Sequence, residues 1–501
     1  MNTNYFFESL NFLRPEVVIT VFLAVVLSFD LAFPKLKKVL PYLTALGIII
    51  SSGYAVQDFL SMQQPQPISS ASKLPLLAFD ALAVFFKIII LASSLFLVIF
   101  SEKSSEIKST VERLGEYYSL ILGMILGMLI LVAATDFLLI YLAIELMSLS
   151  SYVLAGFLKT STKSTEASLK YVIYGSVASG IMLFGISLAY GMTQTTNLFV
   201  AANSLTMNPG NPILLVFVSL MILSGIGYKI SSVPFHFWTP DVYEGAPIPI
   251  TAYLSVASKA AGFAVLIRFV KTVYPPVDGL MMISAYNINW KQILIYLSIM
   301  TMTLGNLSAL WQDNLKRMLA YSSIAHAGVV LAAMATMNDE GITAILIYFV
   351  IYLLMNFGAF FIVMLIRNEI NSEHIDDYNG LGYKMPFYGV MLSIFLVSLT
   401  GLPPTAGFIG KLYVFLALVN SKMIFLALIA LLNSVISLYY YIRVMKHLYL
   451  MGSNDQAETL KVSFSNILVA LILAIPVILF GIYFGPVADF AKNSAVMLGV
   501  R

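Results

Sequence analysis

The sequence predicts an all-α, polytopic membrane protein with about fourteen transmembrane helices, two of them discontinuous. Three observations carry that prediction. Hydrophobic residues make up 59% of the 501 and charged residues only 11%, whereas a soluble domain carries about 25% charged residues. Apolar stretches near the length a bilayer requires, about 20 residues, recur along the whole chain. Two of these stretches, 213–234 and 387–418, are interrupted by Gly and Pro beside a lysine.

The composition identifies the solvent. So few charges cannot keep a large surface in water, so lipid must surround most of it. Apolar segments at 16–33, 42–60, 79–100, 118–134, 137–158, 169–190 and 213–234 fill the first half. Those at 248–270, 292–310, 319–337, 342–366, 387–418, 424–445 and 464–484 fill the second. The linkers 63–73 and 367–384 read as loops, and 208–212 and 275–278 as Pro- and Gly-marked breaks. Four units are expected: N-terminal helices over 1–115, one repeat over 116–270, a second over 271–450, and a C-terminal helix and tail over 451–501. The first apolar segment lacks a basic leader and a small-residue cleavage site, so it reads as a retained helix rather than a signal peptide.

Charge placement orients the chain. With the N-terminus outside, sixteen Lys and Arg fall inside, among them Lys35, Lys103, Lys163, Lys316, Arg317 and Arg367. Eight fall outside: Arg14, Lys73, Arg268, Lys271, Lys291, Lys422, Lys492 and Arg501. This positive-inside bias and an even helix count put both termini on the outer side of the membrane. There are no cysteines and four scattered histidines, which excludes disulfides and thiolate-held iron–sulfur clusters and argues against a metal or haem site. Nothing in the charge pattern points to nucleic acid.

Four lysines remain inside apolar segments: Lys87, Lys229, Lys259 and Lys411. A lysine at the bilayer centre costs about 2.5–3.5 kcal/mol on insertion scales, so it persists where it faces protein interior or water. Glu145 lies mid-helix in 137–158. Lys229 lies among Gly225, Gly227 and Pro234, and Lys411 follows the run Gly401 to Gly410. Two broken helices with a lysine at each, one in each half, are the pattern of a repeat-built transporter. Burial disfavours a charged lysine and a nearby carboxylate favours it, so a lysine whose counter-charge moves can load and release a proton. Glu145 with Lys229 is the natural pair for one half, serving the inner side. Lys259 and His326 continue the relay, and Lys411 ends it toward the outer side. Histidine suits this because its ordinary pKa is near 6.5.

Plainer readings stand beside these. Lys87 lies about two turns into its helix, where snorkelling or a local ion pair suffices. His326 also fits a hydrogen-bonded core histidine. Asp30, Asp80 and Asp136 near helix ends read as interface residues, and His236, Asp241 and Glu244 as a structural loop or partner contact. The many Phe, Tyr and Met read as packing or lipid-facing residues.

The stretch 229–247, Lys-Ile-Ser-Ser-Val-Pro-Phe-His-Phe-Trp-Thr-Pro-Asp-Val-Tyr-Glu-Gly-Ala-Pro, with Ser-Val-Ala-Ser-Lys-Ala-Ala-Gly-Phe at 255–263, resembles the antiporter-like, proton-translocating subunits of complex I-type quinone oxidoreductases. Its Pro-Asp-Val-Tyr-Glu-Gly-Ala-Pro form is similar to the N (or 2) branch rather than to the paralogous L and M. Further matching stretches are 166–171, 315–328 and 401–411, and the resemblance covers nearly the whole chain. It implies fourteen helices with two inverted five-helix repeats. It implies a glutamate–lysine pair at Glu145 and Lys229, a bridging lysine at Lys259 and a terminal lysine at Lys411. It further implies partners in the form of paralogous and small membrane-arm subunits. NADH or another donor, FMN, iron–sulfur clusters and quinone belong to those other subunits, with no cofactor in this chain. The full N-terminal set of helices fits a bacterial or plastid origin, and the resemblance thus implies a bacterial cytoplasmic (inner) membrane. The alternatives are a subunit of an Mrp-type cation/proton antiporter, a membrane subunit of a ferredoxin- or hydrogenase-linked complex, and a transport-inactive spacer.

Overall fold

The computed structural model describes residues 11–62, 66–69, 75–207, 210–273, 289–452 and 462–497. Lys73, Lys461, Arg501 and the expected break at 275–278 lie outside the described residues. Among those described, thirteen helices are long and apolar enough to cross a bilayer, and two shorter apolar helices, Pro386–Thr400 and Ala406–Asn420, follow one another in the chain.

The principal helices are α1 (Arg14–Ala32), α2 (Leu40–Ser61), α3 (Ala81–Lys103), α4 (Leu114–Ala133), α5 (Phe137–Ala155), α6 (Thr162–Thr193), α7 (Pro212–Ile230), α8 (Trp238–Gly245) and α9 (Ile248–Tyr253). There follow α10 (Lys259–Val273), α11 (Trp290–Ala309), α12 (Leu315–Met334), α13 (Asp339–Ile370), α14 (Pro386–Thr400), α15 (Ala406–Asn420), α16 (Ile424–Tyr449), α17 (Phe464–Ile482) and α18 (Gly485–Ser494). A single π-helical turn, Leu254–Ser258, joins α9 to α10.

Helix starts follow from short polar side chains that satisfy the free N–H groups of a first turn. Asp80 accepts from Ala83 N at the start of α3, and Asp136 from Leu138 N and Leu139 N at the start of α5. Asn314 and Asn338 do the same for α12 and α13. Asp80 and Asp136 are therefore capping residues, which corrects the expectation that they only mark the interface. The 63–73 linker is not simply a loop either. Residues Gln66–Ser69 pair antiparallel with Pro75–Phe79 as a two-stranded arm.

The centre of the bundle lies in the second half. All of the Ile248–Thr272 window is buried, and 89% of the α12 and α13 windows, against 22% for α1 and 28% for α17. The α9–α10 segment, α12 and α13 are thus the inner pillars, while α1 and α17 turn apolar residues such as Leu31 and Ile482 outward. Arg268 and Lys271, expected among the outer charges, are buried on this inner pillar. Arg268 makes a two-pronged bridge to Asp80, at 2.8 and 3.0 Å, and Lys271 pairs with Asp339 at 3.0 Å. Each cation is tolerated because a helix far away in sequence brings a carboxylate to it. Lys87 is the locally paired lysine of the plainer reading, 2.5 Å from buried Glu16.

Candidate functional site

The first break follows Lys229 directly. Helix α7 stops at Ile230, and Ser231 takes a left-handed conformation at φ 61°. The chain folds back on the helix end through Ser232 N to Gly227 O, 2.9 Å. A side chain at Gly227 would meet the Phe235 ring at 2.7 Å and Ser232 Oγ at 2.9 Å, so glycine permits the close return. Val233 N donates to Thr301 Oγ1 of α11, which ties the break to a neighbouring helix.

Lys229 is buried, and its ammonium has no hydrogen-bond partner among the described residues. Three tyrosine rings surround it instead: Tyr228, Tyr171 and Tyr152, with centroids at 5.3, 5.5 and 5.7 Å. Such faces attract a cation electrostatically. Glu145 stands two turns from Tyr152 on α5, and its charge acts on Lys229. The two do not form a direct ion pair: Glu145 Oε1 is itself buried without a hydrogen bond. The expected pair is therefore not made as a contact. The carboxylate is held off because it belongs to a half-buried face of α5, shared with exposed Leu142, Leu146 and Leu149.

Lys259 opens α10 straight after the π turn, a distortion frequent at functional sites. Its Nζ donates to both the carbonyl and the hydroxyl of Ser323, each at 2.7 Å, and Tyr352 donates to the same hydroxyl at 2.9 Å. Helices α7 and α10 touch where Gly262 leaves no Cβ, 3.4 Å from Lys229 Cβ. One turn beyond Ser323 on α12, His326 bonds Tyr348 at 2.6 Å and Tyr441 at 3.2 Å. The charges of both Lys259 and Lys411 reach this ring.

The second break separates α14 from α15. Gly401 is left-handed at φ 84°, and α15 starts at Ala406. Lys411, one turn into α15 and buried, donates to Thr400 O at 2.7 Å. Gly410 beside it lies against the Tyr348 ring. The five singled-out residues thus fall into three groups: Glu145 and Lys229 near the first break, Lys259 and His326 around Ser323 on α12, and Lys411 at the second break. Sequence reasoning missed the hydroxyls around them. Tyr348, Tyr352 and Asn356 recur at i, i+4 and i+8 along α13, a polar stripe in an apolar helix that was visible as spacing.

Beyond the first break, α8 is fastened at the lysine-rich face. Asp241 takes Lys170 at 2.6 Å and Arg317 at 2.5 Å, while Glu244 takes Lys163 at 2.9 Å and Arg317 at 3.0 Å. Burial pushes both carboxyls up, but these donors outweigh it and hold them below the ordinary range. Among the described residues, no three of His, Asp and Glu stand together as a metal site.

Residues 134–437 match the family described as NADH:quinone oxidoreductase/Mrp antiporter, transmembrane. NADH-quinone oxidoreductase subunit N 2 of Chloroherpeton thalassium is 47% identical over 491 residues, covering 97% of this chain and 94% of the relative. NADH-quinone oxidoreductase subunit N of Chlorobium chlorochromatii is 42% identical, covering 98% and 96%. A chain of respiratory complex I from Thermus thermophilus superposes with a TM-score of 0.77 at 27% identity, covering 95% of this chain and 99% of that one.

Proposed function

The chain belongs to the NADH:quinone oxidoreductase/Mrp antiporter membrane family and is a proton-translocating membrane subunit of a complex I-type quinone oxidoreductase; we propose that it moves protons along the string Glu145, Lys229, Lys259, His326 and Lys411. The observation that supports this most is the string itself. Four ionisable nitrogens lie buried among apolar helices, with serine, threonine and tyrosine oxygens between them and a helix break at each end. Buried charge at membrane depth is retained where it serves a path, and interrupted helices in two halves suit alternating access from two faces. The two halves are read as inverted repeats over 116–270 and 271–450. The lysine-rich face is read as cytoplasmic, with both termini periplasmic.

In this reading the tyrosine cage lets Lys229 exist charged without a salt bridge, so a shift of the Glu145 charge decides whether the lysine keeps its proton. Lys259 passes through Ser323, and His326 through Tyr348 toward Lys411. Ordered water fills the remaining gaps, since neighbouring helix axes stand about 8–10 Å apart. Electron transfer, with its flavin, iron–sulfur clusters, donor and quinone, is assigned to partner subunits of the membrane and peripheral arms.

Lys229→Ala tests the reading. The complex should assemble on native gels and lose at least about tenfold in proton pumping in proteoliposomes, a barrier change of about 1.4 kcal/mol. A fully assembled variant that pumps normally refutes the relay.

A further inference from the structure

Helix α17 carries no ionisable side chain, and only 28% of its spanning window is buried. It has the marks of a lipid-facing end piece. Its last turn, however, is seated on the second break. A Cβ added at Gly481 would stand 1.8 Å from Pro404 O and 2.6 Å from both Pro404 C and Thr405 C. A methyl group cannot approach backbone atoms that closely, so the absent side chain is what lets α17 lie against the break. Three residues on, the Phe484 ring meets Tyr413 of α15 edge-on, with centroids 6.1 Å apart. The end of α17 therefore touches α15 at its capping residue, Thr405, and again eight residues later, about two turns along.

Between these two contacts lies Lys411. The link Gly401–Thr405 separates α14 from α15, and its Leu402, Pro403 and Pro404 are exposed. Among the described residues no backbone N–H is bonded to Pro404 O. Irregular backbone at membrane depth is tolerated where protein covers it, and the Gly481 backbone supplies that cover. Lys411 belongs to α15 but bonds Thr400 O, at the end of α14, at 2.7 Å. Its bond thus spans the link, and the reach depends on how α15 is set against α14. Gly407 N donates to Ser398 Oγ at 3.1 Å and sets one side of that arrangement. The contacts from α17 bear on the other.

We propose that the end of α17 is a positioning clamp for Lys411: Gly481 fixes the link at Pro404, Phe484 fixes α15 at Tyr413, and together they set the lysine's reach across the break. The inference rests on the relay reading above and brings the C-terminal helix into it. The titratable groups beside Lys411 are His326 of α12, which its charge reaches, and Tyr348 of α13, whose ring faces Gly410. Helix α17 adds none to them, so it moves no proton and acts through geometry.

Gly481→Ala adds the methyl that Pro404 O excludes. In proteoliposomes of the purified complex, pumping should fall about fivefold or more, the scale of a small misplacement at a reacting group. Its pH profile should shift, because the bond of Lys411 changes. Amide hydrogen exchange should rise across residues 401–410 and stay level across 227–235 at the first break, which general loosening would not do. Ile475→Ala, on the outward side of α17 at 57% exposure, should leave all three readings unchanged. Phe484→Ala removes the second contact and should give the same pattern at smaller size; it decides the matter where Gly481→Ala does not assemble. Adding Gly481→Ala to Lys411→Ala should cause no loss beyond Lys411→Ala, as for two members of one unit. Normal pumping by the assembled variant, or unchanged exchange across 401–410, overturns the clamp and leaves the relay standing. Normal pumping by Lys411→Ala overturns the relay reading itself.

Discussion

The two helix breaks solve the same problem in different ways. At the first, Lys229 has three tyrosine faces, a distant carboxylate and no hydrogen bond. At the second, Lys411 has no carboxylate partner among the described ion pairs and leans on a backbone carbonyl freed by the break, Thr400 O. The turn residues differ too: a serine takes the left-handed position at the first break and a glycine at the second. The comparison teaches that a membrane-buried lysine can be held by diffuse attraction, which a moving charge can shift, or by one directed bond, which a moving backbone can shift. The first lysine is held by diffuse contacts and the second by a directed bond.

If that contrast is right, the breaks respond to different perturbations. The largest effect is expected at Gly401→Ala. The new methyl would stand 2.7 Å from Lys411 Cδ in a backbone conformation that alanine resists, so the lysine must leave Thr400 O. Pumping should fall about tenfold or more, costing the strain of a left-handed non-glycine residue, about 1–2 kcal/mol, in stability. Unchanged pumping in an assembled complex removes the directed bond from the account. At the first break the matching change, Ser231→Gly, relieves strain, and melting temperature should hold or rise slightly.

Glu145→Gln is the next test, and it bears on the first break alone. Losing the distant charge should slow pumping several-fold, about 1 kcal/mol in the barrier, while Glu145→Asp keeps the charge and stays nearer wild type. Equal, wild-type-like behaviour of both would show that Lys229 ignores the carboxylate. Replacing one wall of the cage, Tyr171→Leu, removes one cation–π face worth about 0.5–2 kcal/mol, so a smaller loss is expected than at Gly401. A loss larger than that of Glu145→Gln would make the cage, not the carboxylate, the main support.

The smallest effect concerns acid. Asp241 and Glu244 fasten the segment after the first break, and the folded protein holds their carboxyls below the ordinary range. A lowered folded pKa gives stability that is complete above the unfolded value and is lost as pH falls through the folded one. The melting temperature of the assembled complex should therefore be level above about pH 5 and decline below about pH 4. Asp241→Asn should flatten part of that decline, and an unchanged profile would show that these bridges do not fasten α8.

Much of the site was legible because its chemistry is conspicuous in an apolar text. Glu145, Lys229, Lys259 and Lys411 stand out as charges where charge is costly, and Gly227, Pro234 and Gly401 mark breaks where a continuous helix was otherwise expected. Lys87 was legible as a local pair, though not its partner Glu16. Arg268 was read as an outer charge, but its burial was not legible, because its carboxylate, Asp80, lies 188 residues away. Ser323 and Tyr348 were passed over, since a hydroxyl in an apolar helix is ordinary and gains its meaning from the group it faces. The distance between Glu145 and Lys229 was also beyond reach, because residue spacing gives the face of a helix but not the separation of two faces.

By itself the sequence determined the solvent, the crossings, the breaks and the residues whose burial needs a reason. Those follow from composition, run length and the backbone limits of Gly and Pro, all of them local properties. Only the tertiary structure decided which polar groups meet: Lys259 with Ser323, His326 with Tyr348, Arg268 with Asp80. Membrane helices are alike in their apolar surfaces, so local sequence leaves their neighbours and rotations open. Packing at small residues such as Gly262, and the need of each buried polar atom for a partner, set them.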